Sequence, residues 1–265
     1  MARVLLEHLR RPCIFRGHRA FGGMSNPRSD PRQDRPAPVF DRILLPRPLT
    51  VEVDWARWLR TIERKRNLAR SNGVGIPASF NRQMTLSSFR LDGIDVTDTD
   101  LDDAAARRTK ARRSFASRQR QRLRNHMAIL LSIARRLTRR QSLRAGQVVR
   151  WYTSISAGLS MSSLDLPGMQ RIESTVRRIN SPQMRLQPAI TEIARLHTDL
   201  LADPMFPSFN GILTRLLLQV HLGHCGLPLV VFDPVSDPPR LSDPVLLLPR
   251  LLELIDASFD RLTTH

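Results

Sequence analysis

From about Val51 to the C-terminus, apolar residues recur every three or four positions, and few stretches alternate as a strand would. Trp55, Trp58, Leu59 and Ile62 share one face, with Arg57, Arg60 and Arg64 outside it. Asn72-Gly73-Val74-Gly75-Ile76-Pro77 breaks this first helix. A second helix is predicted over about 79–91 and stops at Asp92-Gly93, where Gly suits the left-handed residue after a helix end. Thr97-Asp98-Thr99-Asp100 carries the hydroxyl and carboxylates that cap a helix start. Further helices are predicted at about 118–137, burying Leu123, Met127, Leu130, Leu131 and Ala134, and at about 142–159, 169–179 and 188–202. The last places Ile190, Ile193, Ala194, His197, Leu200 and Leu201 on one broad face. The most apolar segment, Ile212 to Leu222, ends at Gly226-Leu227-Pro228, and a final helix spans about 244–262 with an interruption near Pro249. The predicted class is all-α, without internal repeats.

Residues 1–48 follow no such pattern. Pro12, Pro27, Pro31, Pro36, Pro38, Pro46 and Pro48 are interleaved with Arg, Ser and Gly, a mixture that sustains neither a helix nor a central strand. The first 20 residues, Arg-rich and poor in acids, are compositionally similar to an organellar targeting segment, but the expectation is a disordered Arg/Pro-rich tail over 1–48. Helices over 49–100 and a helical core over 101–265 complete the predicted organisation. Two cysteines, Cys13 and Cys225, exclude a disulfide scaffold and a Cys-based zinc site, and make the cytoplasm the expected location. The longest apolar stretch, Leu216 to Phe232, is interrupted by Gln219, His221 and His224 and is shorter than the roughly 20 residues of a membrane span, so none is expected.

Charge adds one feature. The formal net charge is +18, and of the 42 Lys and Arg only Lys65 and Lys110 are lysines. Residues 101–150 hold 15 Lys/Arg against Asp102 and Asp103. Arginine binds phosphate and carboxylate through a planar fork, so an anionic partner, including nucleic acid at the face around Arg107 to Arg140, is one reading; a solvated surface is the other. Aromatics make up 5% of the chain, too few for base-stacking platforms, and no finger, RNP motif or recognition helix is visible.

The candidate chemistry lies at 197–226. Phe206 follows His197 by nine positions, then come Pro207-Ser208-Phe209-Asn210-Gly211-Ile212-Leu213-Thr214-Arg215, and Gly226 stands eleven beyond Arg215. Read physically, a helix starting at Asn210-Gly211 presents free amides and the positive end of its dipole, an anion pocket to which Arg215 adds a fork. His221 and His224 lie too far along the helix to reach it, and their spacing fits no metal motif.

These residues resemble the Fic/Doc (Fido) family, most of whose enzymes transfer AMP from ATP to protein hydroxyls. Its signature is H-P-F-x-[D/E]-G-N-G-R-x-x-R, with a His nine residues before the Phe and a Gly eleven after the last Arg. Phe206, Asn210, Gly211 and Arg215 match, as do both flanking spacings. Upstream, Ser88-Phe89-Arg90-Leu91-Asp92-Gly93 is similar to the family's inhibitory [S/T]-x-x-x-E-[G/N] helix, with Asp in place of Glu. The resemblance implies a Fic-like helical bundle over about 80–260, a nucleotide and phosphate pocket at Phe206, Ser208, Asn210, Gly211 and Arg215, and an inhibitory segment at Ser88, Asp92 and Gly93. It further implies an Asp92–Arg215 ion pair, a satisfied core histidine at His197, and ATP with magnesium as cofactors.

The catalytic positions depart from the signature. Pro204 stands where the family has its general base and has no proton to exchange. Ser208 replaces the acid that holds the metal, Phe209 the first glycine and Ile212 the first arginine. Asp203, beside Pro204, is the one neighbouring group that could substitute as a base. The expectation is therefore no confident catalytic residue, no metal site, and a degenerate relative that has lost AMP transfer and works as a binding or regulatory module with a protein partner. The alternatives are an altered but active nucleotidyl or phosphoryl transferase and an Arg-rich nucleic-acid binder.

Overall fold

The computed structural model describes residues 53–71, 78–106, 115–157, 164, 166–181, 185–237 and 241–263. The expected tail over 1–48 and part of the basic stretch, residues 107–114, lie outside the described residues. Among those described there are helices and no strands: α1 (Trp55–Ser71), α2 (Ala78–Leu91), α3 (Asp98–Ala105), α4 (Phe115–Thr138), α5 (Ala145–Ile155), α6 (Leu166–Asn180), α7 (Leu186–Ala202), α8 (Asn210–His224) and α9 (Pro244–Thr263). No helix among them is long and apolar enough to cross a membrane. All belong to one compact unit, Pro48–His265.

α8 is the axis of the bundle. It packs against α7, α4, α6 and α2, and every residue from Ile212 to Leu222 is buried. A helix apolar on all sides has no solvent face to present, so it is surrounded. Its Ile212, Leu213, Leu216, Leu217 and Val220 enter a core formed with α2 to α6. Leu218 and Leu222 face a second core formed with α1, α7 and α9.

Local chemistry sets the helix ends. Thr97 caps α3 in a reciprocal capping box with Asp100. Gly93, at φ +71°, closes α2: the Ile94 amide donates to Phe89 O at 3.0 Å and the Gly93 amide to Arg90 O at 2.9 Å. Gly226, also at φ +71°, closes α8 in the same way, with Leu227 N donating to Leu222 O at 3.0 Å. Pro249 does not interrupt the last helix, which continues through it. Its missing amide frees only the carbonyl of exposed Val245, while Leu247, Leu248, Leu251, Leu252, Ile255 and Phe259 anchor both sides of the ring in the core. α4 starts earlier than the periodicity indicates, at Phe115.

Candidate functional site

The Gly93 turn leaves Asp92 at the carboxyl end of α2, pointing at the start of α8. Its Oδ2 accepts from the Ile212 amide at 3.2 Å, and its Oδ1 pairs with the Arg215 guanidinium. Arg215 also donates from Nε to Ser88 Oγ at 3.0 Å and from a terminal nitrogen to Ser88 O at 2.6 Å. The expected ion pair is present, and Ser88 serves the same guanidinium. The pair is well buried, with side-chain exposures of 7% for Arg215 and 17% for Asp92. Burial pushes the Arg215 guanidinium below its ordinary value, and Asp92 acts in the opposite direction.

Gly211 makes the approach possible. A Cβ there would collide with the Asp92 carboxylate and come within 3.1 Å of the Arg215 guanidinium. The carboxylate thus occupies the first turn of α8, where an external anion would be received. Asn210 braces the preceding loop: its Oδ1 accepts from Met205 N (3.1 Å) and Phe206 N (3.4 Å), and its Nδ2 donates to Leu200 O at 2.7 Å. Phe206 is buried, its ring 5.2 Å from that of Tyr152. Of the five residues expected to form a phosphate pocket, Asn210 and Phe206 hold the loop, Gly211 admits Asp92, Arg215 is engaged with Asp92 and Ser88, and Ser208 is half-buried.

Phe209 precedes α8 at φ +56°, in the left-handed region. The family's glycine suits that conformation, and a phenylalanine there carries strain. The Arg122 guanidinium lies 5.0 Å over its ring.

The base position is on the outside of the loop. Pro204 is exposed, and its carbonyl accepts from Arg171 at 3.3 Å. Asp203 also turns outward, 2.7 Å from Arg171, and does not point into the site. Magnesium-bound ATP does not fit this donor set: position 208 offers a hydroxyl instead of a carboxylate, and Asp92 holds the amide and guanidinium that phosphates would need.

Behind the pair lies a cavity of about 20 Å³, room for one water, lined by Ser87, Ser88, His126, Arg215 and Gln219 among others. His126 is buried, with Nδ1 3.0 Å from Thr85 Oγ1. The Thr85 hydroxyl donates to Asn81 O at 2.9 Å, so Nδ1 of His126 carries the hydrogen toward Thr85. His197 is buried and stacked on Phe232, ring centroids 6.0 Å apart. It is a core residue but not a satisfied one: the Thr214 backbone is close, yet neither ring nitrogen reaches hydrogen-bond geometry. Burial, reinforced by the Arg215 charge, pushes both imidazoles down to about 3, so both are neutral at pH 7. Gln219 reads as a polar intrusion in an apolar run, and its role is to pair both ways with Val230, holding the segment after α8 at 2.9 Å. Sequence reasoning missed Arg122 and His126; their only signal was a polar residue on the inward face of an amphipathic α4.

Among solved structures, a fragment of Fic-1 from C. elegans carrying a Glu-to-Gly substitution matches with a TM-score of 0.56 and 14% identity, over 78% of this chain and 71% of that chain. At that identity the likeness is one of fold. No protein-family model matches the sequence, and no curated protein does.

Proposed function

We propose that this chain is a Fic-fold protein that has lost AMP transfer and acts as a binding or regulatory module for a protein partner in the cytoplasm. The observation that carries the reading is the Asp92 carboxylate seated on both Ile212 N and Arg215, in a site whose base position holds Pro204. A proline cannot take a proton from a target hydroxyl, and loss of a positioned base alone costs roughly 10²–10⁴ in rate. Removing Asp92 would expose the amide and guanidinium but restore neither base nor metal carboxylate.

Labelled ATP offered to the full chain with magnesium and a lysate should yield no transferred AMP, either for the wild type or for Asp92→Gly. Transfer by Asp92→Gly would overturn the reading and favour an altered transferase. Simultaneous Pro204→His, Ser208→Asp, Phe209→Gly and Ile212→Arg, in the Asp92→Gly background, should regain measurable transfer if the scaffold retains its kinship.

A further inference from the structure

One buried charge has no counter-charge. Arg122, in the second turn of α4, is 8% exposed. Its Nε is sealed from solvent and makes no hydrogen bond, and among the described residues no carboxylate pairs with its guanidinium. Its defined contact is the Phe209 ring. The neighbouring arginines of α4 are placed otherwise. Arg120 pairs with Asp103 at 3.0 Å, and Arg124 donates to Ala104 O at 2.8 Å and to Gln121 at 3.2 Å. Arg118 stands close enough that its charge, after burial itself, lowers the Arg122 pKa. The surrounding sequence cannot neutralise either one, since no acidic residue occurs between Asp103 and Asp165. A desolvated guanidinium facing a second cation is costly in the folded state, and a cation–π contact recovers only part of that cost.

We infer that Arg122, backed by the Phe209 ring and flanked by Arg118, is an anion site that takes a phosphate-bearing ligand. The ring covers one face of the guanidinium and leaves the edge of its fork, the side that grips an oxyanion bidentately. Phosphate suits the site better than a single carboxylate, because its double charge balances two guanidinium groups. The adjoining amino end of α8 adds positive potential. The strained backbone at Phe209 gains a purpose: it holds the ring beneath the guanidinium. This assignment rests on Arg122 and not on the Fic likeness, and its test has no catalytic readout.

Thermal unfolding of the full chain is followed in EDTA with millimolar pyrophosphate, against sodium chloride of equal ionic strength. The wild-type Tm should rise by roughly 5–10 °C at a hundredfold excess over Kd. Arg122→Met removes a buried unpaired charge, so its Tm in chloride should equal or exceed that of the wild type, and pyrophosphate should not raise it. Arg135→Met, a change of an exposed arginine on the same helix, should leave the full response. Arg122→Lys keeps the charge but loses the fork, and should lose half of the response or more. A larger shift with ATP than with pyrophosphate assigns the ligand to nucleotides, and equal shifts assign it to phosphate alone; both uphold the site. A wild type indifferent to pyrophosphate, an Arg122→Met or Arg122→Lys variant that responds in full, or an Arg135→Met variant that loses the response equally would overturn it.

Discussion

Asp92 and Arg215 join two helices 123 positions apart, and the energetic character of that link can be measured by a double-mutant cycle. Asp92→Asn preserves shape and can still accept from the Ile212 amide, but it leaves a 7%-exposed guanidinium facing only Ser88 O and Oγ. Stranding one member of a buried pair costs about 3–5 kcal/mol, a large part of a stability of about 5–15 kcal/mol. Arg215→Met instead removes the ion that is costlier to bury. Asp92 is 17% exposed and can hydrate while still capping α8, so the loss should be about 1–2 kcal/mol. With both substitutions no buried charge remains, and the cost should again be about 1–2 kcal/mol. The two single losses then sum to about 3 kcal/mol more than the double. Urea unfolding of the four proteins, monitored by helical circular dichroism, gives each value. Additivity within about 0.5 kcal/mol, or an Asp92→Asn loss below about 1 kcal/mol, would refute the claim that the pair is buried and mutually dependent.

Other perturbations test neighbouring parts of the site. His126 and His197 are held near 3 when folded against 6.5 when unfolded, so their contribution is complete above about pH 6.5 and is lost as pH falls from there toward 3. The slope is about 1.4 kcal/mol per pH unit for each imidazole, or about 4 kcal/mol for the two by pH 5. A urea midpoint that stays level between pH 7.5 and pH 5 would contradict their burial as neutral groups. Gly211→Ala drives a methyl into the Asp92 carboxylate and should cost about 2–4 kcal/mol by thermal unfolding, with most of that recovered in an Asp92→Gly background. Equal losses in both backgrounds would place the clash elsewhere. Asn210→Ala removes three hydrogen bonds that brace the loop and should cost about 2–3 kcal/mol, with faster amide exchange at Met205 and Phe206. Unchanged exchange at those amides would argue against the brace.

Much of the helical framework was legible along the chain because its signals are local. Apolar spacing marked α1, α4, α7 and α8; Gly93 and Gly226 marked ends because few residues other than glycine accept a positive φ cheaply. Pro249 misled for a related reason. A proline weakens one helical hydrogen bond wherever it sits, but whether the helix stops depends on the leucines on either side having a core to enter. The spacing of Ser88, Asp92 and Arg215 indicated a link between distant helices, and the structure supplies its geometry.

The sequence alone thus determined the class of fold, the surrounded position of α8, the loss of the base and of the metal carboxylate, and the residues that meet across α2 and α8. Those depend on period, side-chain chemistry and residue identity, which travel with the chain. Only the tertiary structure decided that Asp203 turns outward to Arg171, that His197 is buried without a hydrogen bond, and that Arg122 is shut in beside Phe209 with nothing to neutralise it. Arginine is abundant throughout the chain, and its identity does not reveal which guanidinium will be desolvated. That follows from which helices close around it, a non-local outcome of packing.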